Sequence, residues 1–239
     1  MGACRLIFGG LVLVGVTFSP QPAWNNLTAE AIISRLQEQN RQRETLLDGY
    51  ATRRIYRLTN ELTTKWAVME VEMQFYSPNQ VEFRVLNQSG SGFLAKRVFG
   101  WMMKGEKEAL TAENKRRSAL TPANYEFVLL GQETLAGQRA YLIGLKPKRE
   151  DTYLFAGRVW IDATEFAVIR AEGQPIKRPS LWTREIKFVR AYRKVGHFWL
   201  PDRLETKVEV LLFGTTTVVI ETGDYRIQLN QALASRAAE

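Results

Sequence analysis

Apolar and polar positions alternate most cleanly between residues 66 and 76, where Ala67, Met69, Val71, Met73 and Phe75 oppose Val68, Glu70, Glu72 and Gln74. A period of two puts one face in a core and the other in water, which predicts a half-buried strand. Ser77-Pro78-Asn79 turns the chain, and Val81, Phe83 and Val85 alternate with Glu82 and Arg84 on the return. The two runs read as an antiparallel hairpin with one apolar face. The same rhythm returns at Leu204, Thr206, Val208, Val210 and Leu212 against Glu205, Lys207 and Glu209, and residues 215–228 give one more strand. Residues 125–162 are expected to hold three strands. Ala136-Gly137-Gln138 forms a hairpin corner where glycine accepts positive φ. Pro147 ends the middle strand because it lacks a backbone donor. Further turns are expected at residues 162–165, 173–175 and 195–197.

A helical period appears twice. In residues 27–47, Leu27, Ala31, Ile32, Leu36 and Leu46/Leu47 make a stripe, Thr28 is placed to cap, Glu30 lies in the first turn and Gly49 just past the end. In residues 94–110, Leu94, Val98, Trp101, Met102 and Ala109 share a face widened by Phe99, Met103 and Leu110. Gly100 and Gly105 each weaken that helix by about 1 kcal/mol relative to alanine. We read it as a short helix across the concave side of the sheet; two further strands over residues 93–103 remain the competing reading. The expected fold is mainly β with minor α: a curved antiparallel sheet, an unclosed half-barrel, with an N-terminal helix and a short lid helix in its concavity.

The start of the chain bears on location. A basic residue, Arg5, precedes an apolar run from Leu6 to Phe18, and Ser19-Pro20-Gln21-Pro22-Ala23 follows. The run is shorter than the ~20 residues of a spanning helix, and the arrangement is that of an export signal over residues 1–24. An uncleaved segment would instead leave the protein membrane-associated. Residues 25–239 are expected to form one domain. The single cysteine, Cys4, precedes the apolar run, so the mature fold is expected to lack disulfides. The net charge of +8 would suggest nucleic acid in a cytosolic protein. In an exported one it suits anionic lipid surfaces or an acidic protein face. The basic residues are scattered, and groups such as Arg53/Arg54/Arg57 read mostly as solvated positions.

Catalytic signatures are sparse. His197 is the lone histidine and sits at a turn, so zinc sites and Cys/His nucleophiles lack their residues. Glu70/Glu72 and Glu106/Glu108 read as solvated carboxylates, and the expectation is of a protein with neither enzymatic activity nor cofactor. The positive signal is apolar. Apart from the initiator, the methionines Met69, Met73, Met102 and Met103 come from only the clean strand and the lid. Methionine suits surfaces that repack around variable partners, although ordinary core filling explains any single one. The candidate ligand-binding residues are Met69, Val71, Met73, Phe75, Val81, Phe83 and Val85 on the sheet, with Val98, Trp101 and Met102 on the lid.

The sequence from Gly131 to Asp162 carries G-x-E-x-x-x-G-x-R-A-Y-L-x-x-L-x-P-K, then Tyr153, then Trp160-Ile161-Asp162. This pattern resembles the bacterial outer-membrane lipoprotein-sorting proteins and the related periplasmic sensors that bind anti-sigma factors, the LolA-like and RseB-like superfamily. The resemblance implies an unclosed barrel whose apolar concavity takes up acyl chains under helices. It implies a periplasmic carrier of lipid or lipoprotein toward the outer membrane, with membrane-bound donor or acceptor proteins as partners. A periplasmic regulator that binds a protein partner through the same fold is the alternative. Carriers often place an arginine immediately before a Pro-Asn turn to pin the lid; here Ser77 holds that position.

Overall fold

The computed structural model describes residues 27–177 and 183–230; the expected export segment and the expected frayed tail over residues 232–239 lie outside them. Helix α1 (Ala29–Leu46) begins where Thr28 Oγ1 accepts the Ala31 N–H at 3.2 Å, with Glu30 in its first turn and Arg43 in its last. Its buried residues are Ala29, Ile32, Ile33 and Leu36, the i, i+3, i+4, i+7 pattern of one face. The buried stripe keeps Ile32 and Leu36 of the predicted one and adds Ala29 and Ile33, two positions the sequence stripe omits. Gly49 does not stop the helix. The chain passes straight into β1 (Leu47–Asn60), where a Cβ on Gly49 would lie 2.4 Å from the Phe75 carbonyl oxygen. The glycine admits close strand approach.

After β1 come β2 (Trp66–Tyr76) and β3 (Gln80–Gly90), the hairpin that the alternation predicts. A helical stretch follows: a single turn α2 (Gly92–Leu94), a π-helical turn (Ala95–Phe99), α3 (Gly100–Ala109) and α4 (Ala112–Ser118). Then β4 (Tyr125–Leu135), β5 (Gln138–Pro147), β6 (Phe155–Asp162), β7 (Val168–Pro175), β8 (Thr183–Val195), β9 (Phe198–Val210) and β10 (Gly214–Leu229) run in succession. The expected turn at residues 173–175 is instead the end of β7, whose Pro175 pairs with Phe155. Ala136 and Gly137 both have positive φ, 47° and 84°, as a two-residue hairpin requires.

All ten strands join one antiparallel sheet in the order β3-β2-β1-β10-β9-β8-β7-β6-β5-β4. β10 returns to pair with β1, while β3 and β4 are the two unpaired edges. The helical stretch joins one edge to the other, so it has to cross the concavity. That topology makes it a lid. Two cores result on the concave side. In one, α1 packs on Tyr141, Ile143, Val159 and Ile161 of β5 and β6. In the other, Ala95 and Phe99 pack on Tyr56, Leu58, Ala67, Met69 and Val71 of β1 and β2.

Candidate functional site

Between these cores much of the concave face from β7 to β9, with the start of β10, is left unfilled. A cavity of about 940 Å³ lies there, roofed by Val98, Trp101 and Met102 and floored by Ile186, Phe188, Leu204, Val208 and Val218, among others. On β8 the lining positions Ile186, Phe188, Arg190 and Tyr192 alternate along the strand, as a single face demands. Ile186, Phe188, Leu204 and Val208 remain half-buried, and Leu204 also packs against the edge of the lid core. The lining holds two arginines, Arg97 and Arg190, and among the described residues no carboxylate. A smaller cavity of about 280 Å³, beside the end of α1, is lined by Arg43, Leu47, Phe198 and Trp199 and shares Tyr192.

The lid is held by charge as well as by packing. Arg54 of β1, 4% exposed, donates from Nη1 to Glu106 Oε2 of α3 at 2.7 Å. Burial alone would lower the Arg54 pKa, but Glu106 and the neighbouring tyrosines outweigh it and hold the guanidinium charged. Burial pushes the Tyr50 phenol up to about 12. Arg54 and Glu106 are therefore neither of them the solvated groups that the sequence suggests. At the other end of the stretch, Arg117 of α4 makes two hydrogen bonds to Asp151, at 3.0 and 2.9 Å, and Lys115 donates to the Pro78 carbonyl in the β2–β3 turn. The hydrogen bonds from Arg117 hold the Asp151 carboxyl below its usual pKa. Ser77 supplies no arginine before the turn; the arginine that ties to the lid here is Arg54, on the neighbouring strand.

The ten candidate residues divide. Val98, Trp101 and Met102 line the cavity. Met69 and Val71 lie directly beneath the lid, clustered with Phe83, Met102 and Met103, in space that is filled. Met73 and Val81 belong to a separate core with Tyr50, Phe198 and Leu200, against which Phe75 packs. Val85 is 49% exposed near the free edge of β3, where Leu86 is the extra residue of a bulge opposite Glu70/Val71. None of these seven sheet residues lines either cavity. The floor residues on β8 and β9 are the ones that sequence reasoning did not single out for this role. A weak signal exists at Arg190, which takes an inward position while Val189 and Ala191 take the outward ones.

Among the described residues no helix is long and apolar enough to cross a membrane, and no three His, Cys, Asp or Glu side chains are grouped to hold a metal ion.

Residues 31–173, more than half of the chain, match the family described as the MucB/RseB N-terminal domain. No curated protein matches. Among solved structures, the chain is similar to a LolA superfamily protein from Nitrosomonas europaea, 14% identical over 84% of this chain and 94% of that one, with a TM-score of 0.39. It is similar to an outer membrane lipoprotein-sorting protein domain from Vibrio parahaemolyticus, 13% identical over 86% and 97%, with a TM-score of 0.44. It is similar also to the MucA/MucB structure of Pseudomonas aeruginosa, 12% identical over 88% and 96%, with a TM-score of 0.30.

Proposed function

Because the chain belongs to the MucB/RseB N-terminal domain family, we propose that it is a periplasmic binding protein that holds acyl chains of a lipid or lipoprotein for transport toward the outer membrane. The observation that carries this reading is the cavity of about 940 Å³ under the lid, within the size range of ligand pockets. Apolar side chains left facing an open concavity forgo roughly 25 cal/mol for each Å² that a ligand would cover. Ile186, Phe188, Leu204 and Val208 supply the floor, and Val98 and Met102 the roof. Binding of this kind needs no covalent step. The apolar run over residues 6–18 supports export.

The family match also favours a second reading, a periplasmic regulator that binds a protein partner. MucB of Pseudomonas aeruginosa is solved in complex with MucA. Native mass spectrometry of the protein purified from its own envelope fraction separates the two. A lipid adduct that is lost in Val208→Asp supports the carrier, and a stoichiometric protein adduct supports the regulator. Lipid content unchanged in Val208→Asp would remove the cavity from consideration.

A further inference from the structure

Arg190 is out of place for a cavity that takes only hydrocarbon. It occupies a concave-face position of β8 between Phe188 and Tyr192, and it lines the cavity. Its partners across the ladders are Ala171 on β7 and Leu204 on β9, both cavity-lining. It is solvent-exposed and lines the cavity. No carboxylate lies within ion-pairing distance of it among the described residues; the nearby Glu106 is bonded to Arg54. Tyr192 and, more distantly, Glu106 keep the Arg190 guanidinium charged against desolvation and the repulsion of Arg54. Arg190 shares a side-chain hydrogen bond with Tyr192 and an ion pair with none of the described carboxylates, so the cavity holds a cation with guanidinium donors to spare.

The surroundings of Arg190 are polarised along the strand. Toward Val195, its neighbour on the face is Tyr192, with Arg54 and Glu106 close enough to affect its charge. Toward Thr183, the lining is mainly apolar, with Phe188, Ile186, Val208 and Val210 accompanied by the uncharged Thr206 and Thr183. From Arg190 to Thr183 is about 23 Å at about 3.3 Å per residue, the length of an extended long acyl chain. We propose that the cavity takes an anionic amphiphile, its carboxylate or phosphate headgroup paired to Arg190 and its chain laid along Phe188, Ile186 and Val208. This rests on the cavity being a lipid site and adds which end of the lipid is read. A guanidinium presents a planar fork of donors that fits either oxyanion.

The test measures binding of palmitate, hexadecyl phosphate, hexadecanol and inorganic phosphate to the full chain, in the natural protein and in Arg190→Gln, Arg190→Lys and Arg97→Gln. The expected result is that both anionic amphiphiles bind at least about tenfold more tightly than hexadecanol. Arg190→Gln should abolish that preference while hexadecanol still binds, Arg190→Lys should retain part of it, and Arg97→Gln should leave it intact. Equal binding of the acid and the alcohol by the natural protein overturns the headgroup assignment alone. So does a preference that vanishes in Arg97→Gln and survives in Arg190→Gln. Inorganic phosphate binding as tightly as hexadecyl phosphate assigns the site to a free anion and overturns the amphiphile. Failure of every long-chain ligand to bind removes the lipid cavity itself.

Discussion

Two parts of one concave surface behave oppositely. On β2, Met69 and Val71 are 3% and 0% exposed because Ala95 and Phe99 of the lid fill the space above them. On β8 and β9, Ile186, Phe188, Leu204 and Val208 line the open cavity and stay half-buried. The cleaner alternation belongs to the filled half. An apolar face says that something covers it; whether that is the protein's own helix or a ligand depends on where the helix lands. Here the crossover from β3 to β4 settles on β1, β2 and part of β10, and leaves the face of β8 and β9 open.

The largest expected effect comes from introducing a charge into the filled half. Met73→Glu places a carboxylate at a site 1% exposed and should cost upward of about 3 kcal/mol. Chemical denaturation should show a fold largely lost; a soluble, cooperatively folded variant would mean that β2 is not a closed core. Truncation on each side then sharpens the contrast. Phe99→Ala, emptying a site 0% exposed, should cost about 3–5 kcal/mol, whereas Val208→Ala, beside space already open, should cost less than about 1 kcal/mol. Equal losses at the two positions would erase the distinction. An effect between those two truncations concerns the lid's attachment. Glu106→Gln leaves Arg54 without its anion, and since Glu106 is a third exposed the cost is put at about 1–3 kcal/mol. Hydrogen exchange should accelerate over residues 92–109 before it does so over β5 and β6. Uniform acceleration throughout would mean that the pair supports the whole fold and not the lid.

How much of this was legible depends on the range of the interaction involved. Local signals read well: the Thr28 cap, the Pro78-Asn79 turn between β2 and β3, and the Ala136-Gly137 corner all depend on neighbours in sequence. The lid was also legible as a helix, although its first part is a π-helical turn over Ala95–Phe99, a widening that no composition announces. The site was only partly legible. Val98, Trp101 and Met102 were found because they share a helical face. Ile186, Phe188 and Arg190 were not, because Lys187, Val189 and Ala191 between them blur the period. Arg54 and Glu106 are 52 positions apart, and nothing along the chain links them. Position decided the glycine as well: Gly49 looks like a helix stop and is instead a contact point beneath the Phe75 carbonyl.

The free edges at β3 and β4 carry a consequence of their own. A closed barrel has a girth fixed by strand number and stagger. This sheet can spread or tighten without breaking a ladder bond, because no ladder joins β3 to β4. What spans the gap is the helical stretch, fastened to one side through Arg54–Glu106 and Lys115–Pro78 and to the other through Arg117–Asp151. Those side-chain ties work as an adjustable strap around a flexible cradle. The girth therefore depends on those polar contacts and on the packing of Ala95 and Phe99, and not on a closing ladder.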